Sequence, residues 1–272
     1  MSEIICDVCP HRCVLREGKT GRCRIRKNEN GKNVCANYGR ITAMAMDPIE
    51  KKPFRDFFPG SRILSVGSYG CNLSCPFCQN SSISMTDENT CMWKYFSPED
   101  LCDIALKEDD NLGLAFTYNE MSLSYEYIIA CAKILKPHGK KIVLVTNGCI
   151  NERTWKELIP YVDAVNTDLK GDRKFYEEIG GDYETVVRGI ELIHDACHLE
   201  VTTLLIPGKN DSDAFMEKES SWLASLDENI VLHLSRYFPR YHYEIPPTDI
   251  ERMKHLQQIA SRHLKHVYPG NV

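Results

Sequence analysis

From residue 62 onward, short apolar and β-branched runs alternate with helix-length amphipathic segments, and few folds accept that alternation. Six runs read as strands: "RILSVGSY" (62–69), "LGLAFTY" (112–118), "KKIVLVTN" (140–147), "DAVNTDLK" (163–170), "LEVTTLLIP" (199–207) and "NIVLHLSRY" (229–237). "KHVYPGNV" (265–272) offers a further one. The helices between them carry their own signals. Ser97 precedes Pro98 and has Asp100 three residues on, a cap with proline in the first turn. Val186, Ile190, Ile193 and Cys197 recur at helical spacing, and Thr248 with Glu251 reads as a capping box ahead of Met253, Leu256 and Ile259. The expectation is an α/β chain of βα units around a parallel sheet, an incomplete TIM-like barrel of about six units; a doubly wound open sheet is the alternative. In either fold, ligands gather at the C-terminal ends of the strands. Polar residues close four of the runs there: Tyr118-Asn119-Glu120, Thr146-Asn147-Gly148, Asp168-Leu169-Lys170 and His233-Leu234-Ser235-Arg236. One such end would be an ordinary cap; four point to a shared site.

Residues 1–60 have a different texture, with little apolar periodicity and many glycines and prolines, ending in "MDPIEKKPFRDFFPG". They are expected to form a small Cys-rich, ligand-stapled region and a connector, ahead of a core spanning 61–272. The net charge of −5 argues against a nucleic-acid-binding surface. Met1 to Ile5 carry no apolar signal segment and no run reaches membrane length, so the cytoplasm is the expected compartment and no membrane partner is expected.

Under a reducing poise, thirteen cysteines are metal ligands or small buried hydrophobes rather than disulfides. Cys102, Cys131 and Cys197 lie in helical patterns and read as core; Cys35, Cys91 and Cys149 receive no assignment. The other seven form two groups. Cys71, Cys75 and Cys78, spaced C-x3-C-x2-C, follow Tyr69-Gly70 at the end of the first strand. Soft thiolates select zinc or iron–sulfur clusters. Three cysteines on a [4Fe–4S] cluster leave one iron open to a small molecule; a zinc knuckle completed by a distant His or Cys is the alternative. Cys6, Cys9, Cys13 and Cys23 offer four thiolates, a closed site for structural zinc or a second iron–sulfur cluster, and the spacing does not choose. The basic residues around them (Arg12, Arg16, Lys19, Arg22, Arg24, Arg26 and Lys27) suit an acidic partner such as flavodoxin, or a solvated face. A non-catalytic zinc or iron–sulfur module in an assembly is the rival to an enzyme.

The C-x3-C-x2-C loop, with aromatic Phe77 before its last cysteine, resembles the signature of radical S-adenosylmethionine (radical SAM) enzymes. The resemblance implies that the amine and carboxylate of SAM occupy the open iron and that reductive cleavage yields a 5′-deoxyadenosyl radical, which abstracts hydrogen from a protein or small-molecule substrate. "GCNLSCPFCQN" with "TYNE", "TNG", "DLK" and "IPGKND" is similar to the glycyl-radical-enzyme activases, of which the pyruvate formate-lyase activating enzyme is one. The match is closer to the radical SAM component of the AmmeMemoRadiSam system, running from "CDVCPHRCVLREGKTGRCRIR" through "DPIEKKP" and "HLSRYFPRY" to "VYPGNV". This resemblance implies a partial (β/α)6 barrel, an anaerobic oxidoreductase, an electron donor such as flavodoxin or ferredoxin, and links to Memo-like and AMMECR-like proteins. Residue by residue, it places Phe77 beside the cluster and Asn119 and Glu120 at the SAM amino group. Thr146, Asn147, Asp168 and Lys170 fall near its carboxylate and ribose, and His233 on SAM from a late strand. There are departures. Val145 stands where activases often carry Asp before the "TNG", Thr202 takes the place of their arginine, and Met121 follows Asn119-Glu120 where proline is usual. Structural alternatives are a helix-terminal carboxylate for Glu120 and a strand ion pair for Asp168–Lys170.

Overall fold

Strand order in the main sheet follows chain order without interruption, and that decides between the two folds the sequence allows. In the computed structural model, which describes residues 3–272, eight strands form one sheet. They are β1 (Ala43–Pro48), β2 (Arg62–Gly67), β3 (Asn111–Phe116), β4 (Lys141–Thr146), β5 (Ala164–Asp168), β6 (His198–Leu205), β7 (Val231–Arg236) and β8 (His266–Gly270). β2 to β8 are parallel to their neighbours; β1 runs antiparallel along β2. A doubly wound sheet reverses its order at a switch point. This one never does, so the strands curl one way into a partial barrel with β1 and β8 at its two edges. Met1 and Ser2, the first residues of the Met1 to Ile5 stretch read above, lie outside the described residues.

The crossovers are helical: α1 (Pro98–Lys107), α2 (Tyr125–Leu135), α3 (Glu152–Leu158), α4 (Tyr183–His194), α5 (Asp213–Leu226) and α6 (Ile250–Ala260). The expected cap of α1 forms in both directions, Ser97 accepting from the Asp100 amide and Asp100 accepting from that of Ser97. At α6 the expectation fails by one residue. Asp249 is the cap, accepting from the Arg252 amide, because the Thr248 hydroxyl donates to the Leu205 carbonyl and accepts from the Tyr237 amide. Cys197 falls beyond the end of α4 rather than within it, whereas Cys102 and Cys131 are buried in α1 and α2 as expected.

Side chains alternate between the two sheet faces. Leu64, Leu114, Leu144 and Val165 pack outward into the main core with the helices. Ile63, Ala115, Val143 and Ala164 face inward, where Ile49 and Phe54 pack on them as a separate apolar cluster. The stretch read as a connector thus plugs the barrel, and the strand that precedes the plug, β1, was not apparent in its "AMAMDP" sequence. The plug is latched by Glu200 of β6, whose carboxylate accepts the amides of Arg55 (2.8 Å) and Asp56 (2.9 Å).

Ahead of β1, Ile4–Ile5 pair with Val14–Leu15, and Arg26–Glu29 with Lys32–Cys35. The second hairpin turns at Asn30 and Gly31, both at positive φ (53° and 73°), as a two-residue turn of this hand requires. The buried Arg26 guanidinium fastens this region to α2 through two 2.8 Å bonds to Glu126. No helix among the described residues is long and apolar enough to cross a membrane.

Candidate active site

The cysteine loop leaves the C-terminal end of β2 and is braced from the next strand. Asn119, just past β3, accepts from the Ser68 amide (2.9 Å) and donates to the carbonyls of Tyr69 (3.1 Å) and Gly70 (3.0 Å). Gly70 has φ +85°, and a Cβ there would stand 2.5 Å from the Cys23 carbonyl oxygen, so only glycine fits the turn. Cys78 turns back on Cys75 through a 3.1 Å amide–carbonyl bond. The Sγ of Cys71 accepts from the Leu73 amide (3.4 Å) and from Asn147 Nδ2 (3.5 Å).

Burial pushes the Cys71 thiol far above its ordinary range, and the charges of Glu120, Cys75 and Cys78 add to the effect. Burial also raises Cys75, to about 12, although Lys170 works in the opposite sense. Three thiols in one another's field, with N–H donors aimed at one sulfur, become thiolates together only with a cation among them. That donor set fits an iron–sulfur group. Among the described residues, no three His, Cys, Asp or Glu side chains are drawn together tightly enough to enclose a single metal ion.

The residues at the ends of β3, β4 and β5 converge on this loop, whereas His233 lies within β7 and does not reach it. Glu120 is buried and caps the 3-10 turn Met121–Ser124. It accepts from Thr146 Oγ1 (2.7 Å), Ser122 Oγ (2.5 Å) and the Asn147 amide (2.7 Å), and burial raises its carboxyl. Asn147 also donates to Asn72 (2.9 Å) and accepts from the Cys149 amide (2.8 Å). Asp168 and Lys170 form a 2.8 Å ion pair at the end of β5. Burial would lower the lysine, but the charge of Asp168, its hydrogen bond and the charges of Cys75 and Cys71 together overcome that and raise it. Phe77 is buried against Phe175, the rings stacked at 5.8 Å. His233 lies on the inward face of β7, its Nε2 2.5 Å from Glu200.

The N-terminal cysteines sit directly against the same loop. Cys6, Cys9 and Cys23 are buried and Cys13 is half-buried. His11 Nε2 lies 2.9 Å from the Asn72 carbonyl, and Arg22 donates to Ser74 Oγ (3.0 Å). Burial raises Cys9 to about 12, with Cys23, Cys6 and Cys149 adding; Cys149 in turn feels Cys75. Three participants were not assigned from sequence: Asn72, Cys149 and Glu200. Asn72 lies within the C-x3-C spacing and Cys149 directly follows "TNG", so adjacency to the motifs was their only signal. Glu200 had none, being an acidic residue in an apolar strand.

A family model described as the Radical SAM superfamily matches residues 65–217. An uncharacterized protein of Methanocaldococcus jannaschii is 33% identical over 276 residues, covering 100% of this chain and 82% of the relative. A domain of pyruvate-formate lyase-activating enzyme from Bacteroides vulgatus aligns with TM-score 0.52 and 21% identity, over 58% of this chain and 99% of that one. A radical SAM methyltransferase from Sphaerobacter thermophilus aligns with TM-score 0.59 and 16% identity, over 78% and 67%. Streptococcus suis SuiB bound to S-adenosylmethionine aligns with TM-score 0.57 and 14% identity, over 76% and 51%. These structural likenesses are likenesses of fold. With the family model spanning more than half of the chain, and the cysteine loop at the mouth of a partial parallel barrel, this protein belongs to the radical SAM superfamily.

Proposed function

We propose that Cys71, Cys75 and Cys78 hold a [4Fe–4S] cluster whose open iron binds SAM, and that the chain is an oxidoreductase of the glycyl-radical-activase kind. When bound, the cluster supplies the electron that cleaves SAM to the 5′-deoxyadenosyl radical, which abstracts hydrogen from the substrate. The chain's own residues do the positioning. Asn119 holds the loop's backbone, and Asn147 fixes Cys71 while tying it to Glu120 through its amide. Asp168 and Lys170 place one charge of each sign within the electrostatic reach of Cys75, suited to the zwitterionic methionyl end of SAM. The plug closes the far end of the barrel, so the substrate enters from the cysteine-loop side.

The observation that carries this reading is the three-cysteine loop at the end of the first parallel strand, with the ends of three further strands turned towards it. Cys6, Cys9, Cys13 and Cys23 complete the proposal as a second thiolate site packed against the first, for an iron–sulfur cluster or for zinc, the latter requiring the four sulfurs to draw closer than they stand. The exposed basic residues Arg12, Lys19 and Arg22 beside it suit an acidic one-electron donor such as flavodoxin or ferredoxin. The substrate in this reading is a glycyl-type protein site or a small molecule, and the resemblance to the AmmeMemoRadiSam system makes Memo-like and AMMECR-like proteins the partners to try first.

The test is anaerobic reconstitution with iron and sulfide, then dithionite and SAM, with 5′-deoxyadenosine measured for wild type and Cys75→Ala. Product from wild type alone supports the reading. No product from a wild-type chain carrying a full cluster overturns it.

A further inference from the structure

On the concave face, the parallel ladders bring Asp168, Thr202, His233 and Tyr268 into one lateral row across β5 to β8. One step lower run Asn166, Glu200 and Val231. Diagonal hydrogen bonds join the rows: Thr202 Oγ1 donates to Asn166 Oδ1 (2.8 Å), and His233 Nε2 meets Glu200 Oε2 (2.5 Å). Strand spacing sets His233 roughly 10 Å across the sheet from Asp168, and hence from the Asp168–Lys170 ion pair. Thr202 and Asp168 are half-exposed and the His233 side chain is 10% exposed, whereas Val201, Thr203, Leu232 and Leu234 on the other face are fully buried. The concave side above the plug is therefore reached by solvent at Thr202 and Asp168, and only slightly at His233.

Glu200 is the most heavily bonded carboxylate on that face. It accepts the amides of Arg55 and Asp56, His198 Nε2 (2.9 Å) and His233 Nε2. Burial alone would raise its carboxyl, but the bonds from His198, His233 and the two amides overcome that and hold it at about 2. An ionised carboxylate only accepts, so the His233 nitrogen facing it must carry the proton. The other ring nitrogen, Nδ1, has no hydrogen-bond partner among the described residues, and in the Nε2–H tautomer it is the one that carries the lone pair.

We infer that Glu200 is a positioning residue, fixing the Nε2–H tautomer of His233 so that Nδ1 is presented to the concave side of the barrel as an acceptor for an O–H or N–H group of the bound ligand. This rests on the proposed SAM site, since SAM carries amine and hydroxyl donors. Glu200 itself touches no ligand; it acts through the histidine. His198 shares the same carboxylate from the floor side, beside Phe54 and Phe57, and is a control within the molecule.

The test is a long-range 1H–15N correlation of the histidine rings in the anaerobic, oxidised, cluster-loaded enzyme, with and without SAM, alongside calorimetric SAM binding. The expected result is an Nε2–H tautomer for His233 in the free enzyme. Added SAM should move its Nδ1 resonance and leave that of His198 in place. Glu200→Gln should lose the tautomer preference and weaken SAM binding roughly five- to tenfold, the scale of one hydrogen bond. His233→Gln, which keeps an amide towards Glu200 but removes the Nδ1 acceptor, should weaken SAM binding by as much even if Glu200→Gln fails to fold. An Nδ1–H tautomer in wild type, or an Nδ1 resonance unmoved by saturating SAM, overturns the inference. Absence of any SAM binding by the wild-type enzyme would overturn the proposed function instead, while the free-enzyme spectrum would still decide the role of Glu200.

Discussion

Asn147 donates from Nδ2 to the Sγ of Cys71 at 3.5 Å, and the same amide group reaches Asn72 Oδ1 at 2.9 Å. The end of β4 thereby holds a cysteine that belongs to the loop after β2, with β3 between them. Cluster retention should therefore depend on a residue that is not a ligand. Asn147→Ala should lower iron per chain and speed cluster loss, with a stability cost of about 1–3 kcal/mol for the unpaired buried groups. Iron content against time, in parallel with denaturant unfolding, checks both; unchanged iron retention would mean that the amide does not support the loop.

Asn119 makes three hydrogen bonds to the backbone of residues 68–70. Asn119→Asp keeps the acceptor for the Ser68 amide but turns two donors into acceptors facing carbonyls. Its unfolding free energy should fall by about 2–3 kcal/mol, more than that of a surface Asn→Asp substitution. Urea unfolding curves for the two variants provide the comparison.

Gly70 combines φ +85° with the close approach of Cys23 and Ile25. Gly70→Ala should both strain the turn and push the N-terminal segment off the cysteine loop, at a cost of about 2–4 kcal/mol. Limited proteolysis reads the displacement, with cleavage in residues 12–24 accelerating relative to wild type.

Glu219 of α5 is buried, bonded on one oxygen to Thr203 Oγ1, and without a partner on the other among the described residues. Burial lifts its carboxyl from 4.5 to about 8, against the lowering effect of Thr203. Because the folded value lies above the unfolded one, the folded state holds the proton more tightly between those limits. Stability should fall as pH rises from 4.5 to 8 and level off above 8, where both states are ionised. Glu219→Gln should flatten this slope and raise stability at pH 8 by on the order of 2–4 kcal/mol. Unfolding free energies across pH 5–9 decide it, and parallel profiles for the two proteins would contradict it.

How far the fold could be read from the chain varied with the range of the interactions. The strands from β2 onward were legible because their apolar runs are themselves the buried faces of the sheet. β1 was not, since "AMAMDP" has no β-branched residue and becomes a strand only by pairing with β2. Ser97 with Asp100 was legible as a local, self-contained cap. Thr248 with Glu251 had the same local form but lost to Asp249, because Leu205 and Tyr237, neighbours in space, engage the threonine hydroxyl. Glu120 and Asp168–Lys170 take up the cap and the ion pair offered as their structural alternatives, and do so around the cysteine loop.

By itself, the sequence determined the cysteine loop, its place after a strand, and the alternation that makes a parallel sheet, because ligand spacing and hydrophobic period are properties of neighbouring residues. Only the tertiary structure decided the partnerships of residues far apart in the chain. These include Cys23 against Gly70, Asn147 on Cys71, and Glu200 holding the plug at Arg55 and Asp56 while it orients His233. Such contacts arise when the sheet curls and each strand takes its register against the next, and no local pattern encodes which buried donor then faces which acceptor.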